Sequence, residues 1–141
     1  MENDKYYLQR FVKAQQDSYS KAYMELSQGN KQSHWMWWTF PQIEGLGMTA
    51  TSHKYSIKSL AEAKAYLDHP YLSRNLHELC NILLNLNTNN ATSVFGHPDD
   101  LKLRSSMTLF SEADPSDTVF QKVLDKFYAG IKDERTLELL R

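Results

Sequence analysis

The chain has 141 residues with 16 basic and 17 acidic side chains, a near-neutral balance that excludes the basic surface of a general nucleic-acid binder. A single cysteine, Cys80, excludes an internal disulfide and any cysteine-based metal centre, and no apolar run approaches the roughly 20 residues of a membrane span. The length suits one domain over residues 1–141. With a charged N-terminus (Met1-Glu2-Asn3-Asp4-Lys5) unlike a signal peptide, the expectation is a soluble cytoplasmic protein.

From Asp4 to Gln28, apolar residues recur at Leu8, Phe11, Val12, Tyr19, Ala22, Tyr23 and Leu26, a stripe that predicts a helix. Asn3 or Asp4 is placed to cap it and Gly29 to end it. Gln15 sits within the stripe. It is either a core amide bonded to a loop or a polar group aimed into a pocket.

Asn30 to Lys58 contains all three tryptophans, in Ser33-His34-Trp35-Met36-Trp37-Trp38-Thr39-Phe40-Pro41-Gln42, followed by Gly45-Leu46-Gly47. Pro41 and the glycines break any continuous helix. The segment reads as a long loop with a short turn capped by Ser33 and a short helix near Ser52 to Ser56. Ser59 and Glu62 then form a capping-box pattern that opens the next helix. Pro70 starts another, with Leu72, Leu76, Leu79, Leu83 and Leu86 on one face. Cys80 lies beside that seam and reads as a core thiol.

Ala91 to Phe95 predicts a short helix ended by Gly96, and His97-Pro98-Asp99-Asp100 opens one running to Phe110. Asp114 and Pro115 are read as capping a helix striped by Val119, Phe120, Val123, Leu124 and Phe127. Asp133 starts the last. No segment alternates as a strand does. The fold class expected is all-α, a single compact domain of about six or seven helices with one long aromatic-rich loop.

Two segments carry candidate chemistry. Three tryptophans in four residues cannot share one helix face, so some pack inward and some line a surface or cavity. His34 is the one side chain there suited to proton transfer near neutral pH, and Gln42 is the second candidate to orient a reacting bond. In the second segment, Lys102 with Ser106, and Arg104 with Ser105 and Thr108, could hold a phosphate. The same helix also offers plain ion pairs, Asp99 with Lys102 and Asp100 with Arg104. The histidines lack metal-ligand spacing, so no metal is expected, and no cofactor motif occurs. His69 and His97, each before a proline, read as helix-start residues.

The runs SHWMWWTFPQIEGLG (Ser33 to Gly47) and DDLKLRSSMTLF (Asp99 to Phe110), with FVKAQQDSYSKAYMELSQGNK and SLAEAKAYLDHPYL, resemble the uncharacterised family called domain of unknown function 1810. The likeness extends from about Leu8 to Leu140. Its motif positions fall here on Gln15, Ser33, His34, Trp35, Trp37, Phe40, Pro41, Gln42, Gly45, Gly47, Lys102, Ser105, Ser106, Met107, Thr108 and Phe110. The resemblance implies a mostly helical single domain and brings no established activity. Some members are labelled calpastatin. Calpastatins resemble disordered Pro- and Lys-rich repeats, unlike a chain that is 41% hydrophobic with continuous helical stripes.

Two functional readings follow. In one, the Ser33–Gly47 loop and the Asp99–Phe110 helix converge on a pocket for a nucleotide or other phosphorylated small molecule, either bound or processed. Trp35 and Trp37 would stack its planar part, with Gln15 and Ser33 as further polar contacts. In the other, the tryptophans form an exposed patch for a protein partner.

Overall fold

The leucine seam forms as far as Leu83, and Leu86, expected on the same face, lies past the helix end. In the computed structural model, which describes residues 4–141, Leu72, Leu76, Leu79 and Leu83 are fully buried on one helix, Pro70–Leu84. Among the described residues there are nine helices and no strand: α1 (Gln9–Ser27), α2 (Met36–Thr39), α3 (Ala50–Lys54), α4 (Leu60–Asp68), α5 (Pro70–Leu84), α6 (Ala91–Phe95), α7 (Asp99–Ala113), α8 (Val119–Tyr128) and α9 (Glu134–Leu140). Six of these have at least seven residues, and the other three are single short turns.

Helix α7 is the centre of the packing. It contacts α4, α6, α8 and α9, while α5 bridges α1 and α8. Every residue from Ser105 to Ser111 is buried. Small hydroxyl residues occupy several of these buried positions.

Local signals set most boundaries. Asp4 accepts the backbone N–H of Leu8 at 2.7 Å and of Gln9 at 2.9 Å, holding the entry to α1 from outside the helix. Asn3, the other candidate cap, lies outside the described residues. Gly29 follows the end of α1 with a positive φ. His69 caps α5, accepting the Leu72 N–H, and Asp133 caps α9. At Ser59 only half of the expected box forms. The Ser59 hydroxyl accepts the Glu62 N–H, but the Glu62 carboxylate accepts the Lys58 N–H and pairs with Arg10 at 2.7 Å.

That Arg10–Glu62 pair is buried, and Arg10 also donates to the carbonyls of Tyr6, Tyr7, Lys54 and Ser56. It locks α1 to α4 and to the end of the aromatic segment. Desolvating two ions is tolerable here because each has several partners.

Three expectations are corrected. Asp114 does not cap α8, which starts later behind Thr118; its carboxylate is taken up by the Ser116 N–H and hydroxyl in the intervening turn. Ser33 does not cap α2, because Trp35 occupies the cap position and the Ser33 hydroxyl is committed to Glu25. Asp100 does not pair with Arg104. It turns back to His97 and Thr92, while Arg104 reaches the carbonyls of Ile131 and Lys132.

The long aromatic segment has more structure than a bare loop. A single parallel bridge joins Ile43 to Ile57, with Ile57 N–H donating to Gln42 and Glu44 N–H to Ile57, both at 2.8 Å. Thr49 and Ser52 cap α3 reciprocally.

Candidate functional site

The aromatic block begins on a buried carboxylate. Glu25, near the end of α1, accepts four hydrogen bonds: from the backbone N–H of Gln32 and Ser33, the Ser33 hydroxyl, and the Trp35 indole N–H. Burial alone would raise its pKa. The hydrogen bonds, that of the Ser33 hydroxyl foremost, outweigh burial and hold the group at about 2. Nothing in the composition around Glu25 marks this role; only its position before Gly29, where the chain turns back, could have suggested it.

The three tryptophans divide. Trp35 is buried against Phe40 and Phe95. Trp38 donates its indole N–H to Ser18 at 2.8 Å and packs on Tyr55. Trp37 is half-buried, and its indole N–H has no partner among the described residues. The Lys102 ammonium lies 4.1 Å from the Trp37 ring centroid, within cation–π range. The two candidate segments therefore meet, at Trp37 and Lys102.

A charge cluster surrounds that contact. Asp99 accepts Lys102 at 2.9 Å through one carboxylate oxygen and Lys31 at 2.8 Å through the other. Against the effect of burial, the two lysines lower the pKa of Asp99. Lys31 also donates to the Ser33 carbonyl at 2.5 Å and lies 4.9 Å from the Trp35 ring centroid. Lys31 was not singled out from the sequence. Its role depends on contacts with Asp99, which no local pattern encodes.

The other candidates on α7 are engaged within the fold. Ser105 donates to the Leu101 carbonyl, and Thr108 donates to the Arg104 carbonyl while accepting the Asp133 N–H. Arg104 fastens the chain before α9. Ser106 is fully buried with no partner for its hydroxyl, as is Thr39 on α2, which is 3% exposed. Gln15 is buried in a network. It donates to the Trp38 carbonyl and the Tyr66 hydroxyl and accepts from Asn75. His34 is exposed and makes no hydrogen bond that would fix its tautomer.

Beyond Trp37 lies a small enclosed cavity of about 20 Å³, lined by Trp37, Gln42, Gly47, Ser52, His53 and Tyr55 among others. That volume holds roughly one water. Gln42 is 9% exposed, and its carboxamide bonds to no described residue. Gly45, Leu46 and Gly47 form one wall of the cavity, and Met48 beyond them is exposed. A Cβ on Gly47 would stand 2.5 Å from the Ser52 Cβ, so only glycine permits this closure. Gly45 adopts φ +109°, again open only to glycine.

A family model described as protein of unknown function (DUF1810) matches residues 5–140. The chain belongs to the DUF1810 family. A solved member-like structure, the conserved hypothetical protein Rv1873 from Mycobacterium tuberculosis, is 44% identical with a TM-score of 0.95, over 97% of this chain and 98% of that one. Comparison with curated proteins found no match.

This DUF1810 chain holds one further polar cluster. His77 on α5 directs Nδ1 at the Ser73 carbonyl at 2.7 Å and Nε2 at the Asp117 carboxylate. Burial would lower its pKa, but those two acceptors raise it above 6.5. Both ring nitrogens therefore face oxygen acceptors. The Ser73 hydroxyl lies 3.3 Å from the same Nδ1, farther than the Ser73 carbonyl at 2.7 Å. Among the described residues no group of three metal-ligating side chains occurs, and no helix is long and apolar enough to cross a membrane.

Proposed function

We propose that this DUF1810 protein binds a small anionic ligand with a planar part, a nucleotide or similar phosphorylated compound, at the Trp37–Lys102 contact. One observation carries the reading: the Lys102 ammonium sits over the Trp37 ring at 4.1 Å and shares Asp99 with Lys31. Two cations against one carboxylate leave an excess positive charge beside a tryptophan with an unpaired N–H. A phosphate competes well with Asp99 for such lysines, and a planar group stacks on the indole.

Gln15, Ser33, Trp35, Arg104, Ser105 and Thr108 would then support the fold around the site rather than touch the ligand, since their polar groups are already bonded. The protein-partner reading loses most of its area, because Trp35 is buried and Trp38 is tied to Ser18. Buried Cys80, its thiol pKa raised chiefly by burial, suits a reducing cytoplasm.

A thermal-shift panel of nucleotides, ADP-ribose and sugar phosphates tests the reading. A ligand at 100 times its Kd should stabilise by about 2.7 kcal/mol. Lys102→Ala and Trp37→Ala should remove that shift while leaving the ligand-free melting temperature close to the parent's. A panel without a hit, or a shift that survives both substitutions, would overturn it.

A further inference from the structure

We infer that the cavity beneath Gly45–Met48 is the subsite for the planar part of the ligand, and that Gln42 reads the ring's edge. This rests on the Trp37–Lys102 reading and assigns the chemistry on the other side of Trp37.

The first support is Gln42 itself. Gln42 lines the cavity, and its carboxamide has no hydrogen-bond partner among the described residues. Its backbone carbonyl accepts the Ile57 N–H, so the residue is fixed by the bridge while its side chain is left unspent. A free carboxamide offers a donor and an acceptor side by side. That pair matches a heterocycle edge that presents an acceptor and a donor together, as adenine does with N7 and N6.

The second support is the cover. Glu44 and Thr49 are held at either end of the segment, by Ile57 and by the Ser52 hydroxyl. Between them Gly45, Leu46, Gly47 and Met48 make no backbone hydrogen bond to any described residue. Met48 is 98% exposed. Lifting this segment therefore breaks no ladder, and it uncovers Trp37, whose ring rim lies 3.4 Å from a Cβ position on Gly47. At about 20 Å³ the cavity is too small for a ring, so entry requires that movement. Once in, a ring lies along Trp37 with its edge at Gln42, and its phosphate reaches Lys102, which is held beside Lys31 through Asp99.

The experiment is calorimetric titration of the full chain with AMP, IMP and ribose 5-phosphate, which share a phosphate and differ in the ring. IMP carries a carbonyl where adenine has its amino group. The parent should bind AMP about tenfold or more tighter than IMP or ribose 5-phosphate. Gln42→Leu should bring AMP down to the ribose 5-phosphate level and leave ribose 5-phosphate unchanged. Gln42→Glu, which keeps the shape but loses the amide donor, should also lose AMP preference. It guards against a Leu variant that fails to fold. Gly47→Ala should weaken AMP by a similar factor through the blocked closure. Equal binding of all three compounds by the parent, or an AMP preference unchanged by both Gln42 variants, overturns the subsite while the Trp37–Lys102 reading stands. Absence of binding by every compound overturns both.

Discussion

The two ends of the aromatic segment are built differently. Ser33 to Trp35 hang from Glu25 by hydrogen bonds to backbone, hydroxyl and indole, whereas Gly45 to Met48 make no backbone hydrogen bond and touch the core through Leu46. One end is an anchor and the other a cover. Trp37 stands between them, with Lys102 of α7 over its ring and Gly47 close to its rim. Tryptophan density alone does not make a binding platform, because the same residue type nails the chain down at Trp35 and stays half-free at Trp37.

Removing the anchor should have the largest effect. Trp35→Ala should cost about 3–5 kcal/mol in urea denaturation, from lost burial and the cavity left behind. A loss under about 1 kcal/mol would erase the distinction between the two ends. Next is the carboxylate. The fall of the Glu25 pKa from 4.5 to about 2 corresponds to about 3 kcal/mol of stability. Because the folded pKa is the lower one, this stability is present above pH 4.5 and lost as pH falls toward 2. Glu25→Gln should therefore be destabilised by about that amount at pH 7, and the gap to the parent should close across that acidic window. A gap independent of pH would mean the carboxylate's charge contributes nothing. Smallest is the cover. Met48→Ser should change stability by no more than about 0.5 kcal/mol, and a larger change would show the segment to be part of the packing.

The helices were legible because their signals are local. The leucine seam of α5, the Ser59 cap, Gly29 and the Asp133 start each depend on residues within one or two turns. The meeting of Trp37 with Lys102 could only be posed as a question, since it joins residues far apart in the chain. Arg10, Glu25 and Lys31 escaped notice because charged side chains are read as surface groups. Here each is drawn inward by partners supplied from other segments. The hydroxyls of α7 suggested an anion clamp. At the centre of a helical core they serve instead as small packing residues, which burial, not spacing, reveals.

The single bridge between Ile43 and Ile57 has a consequence for how this chain tolerates change. It pins the two ends of the 44–56 excursion together, while Arg10 and Tyr55 tie residues 54–56 to the core, so length can vary only within Gly45–Met48. Doubling a flexible loop whose ends are already joined costs only about 0.6 kcal/mol. Extra residues inserted after Leu46 would therefore leave the nine helices intact while reshaping what covers Trp37. The bridge acts as a neck behind which the Gly45–Met48 stretch can be lengthened without touching the residues that Arg10 and Trp38 hold.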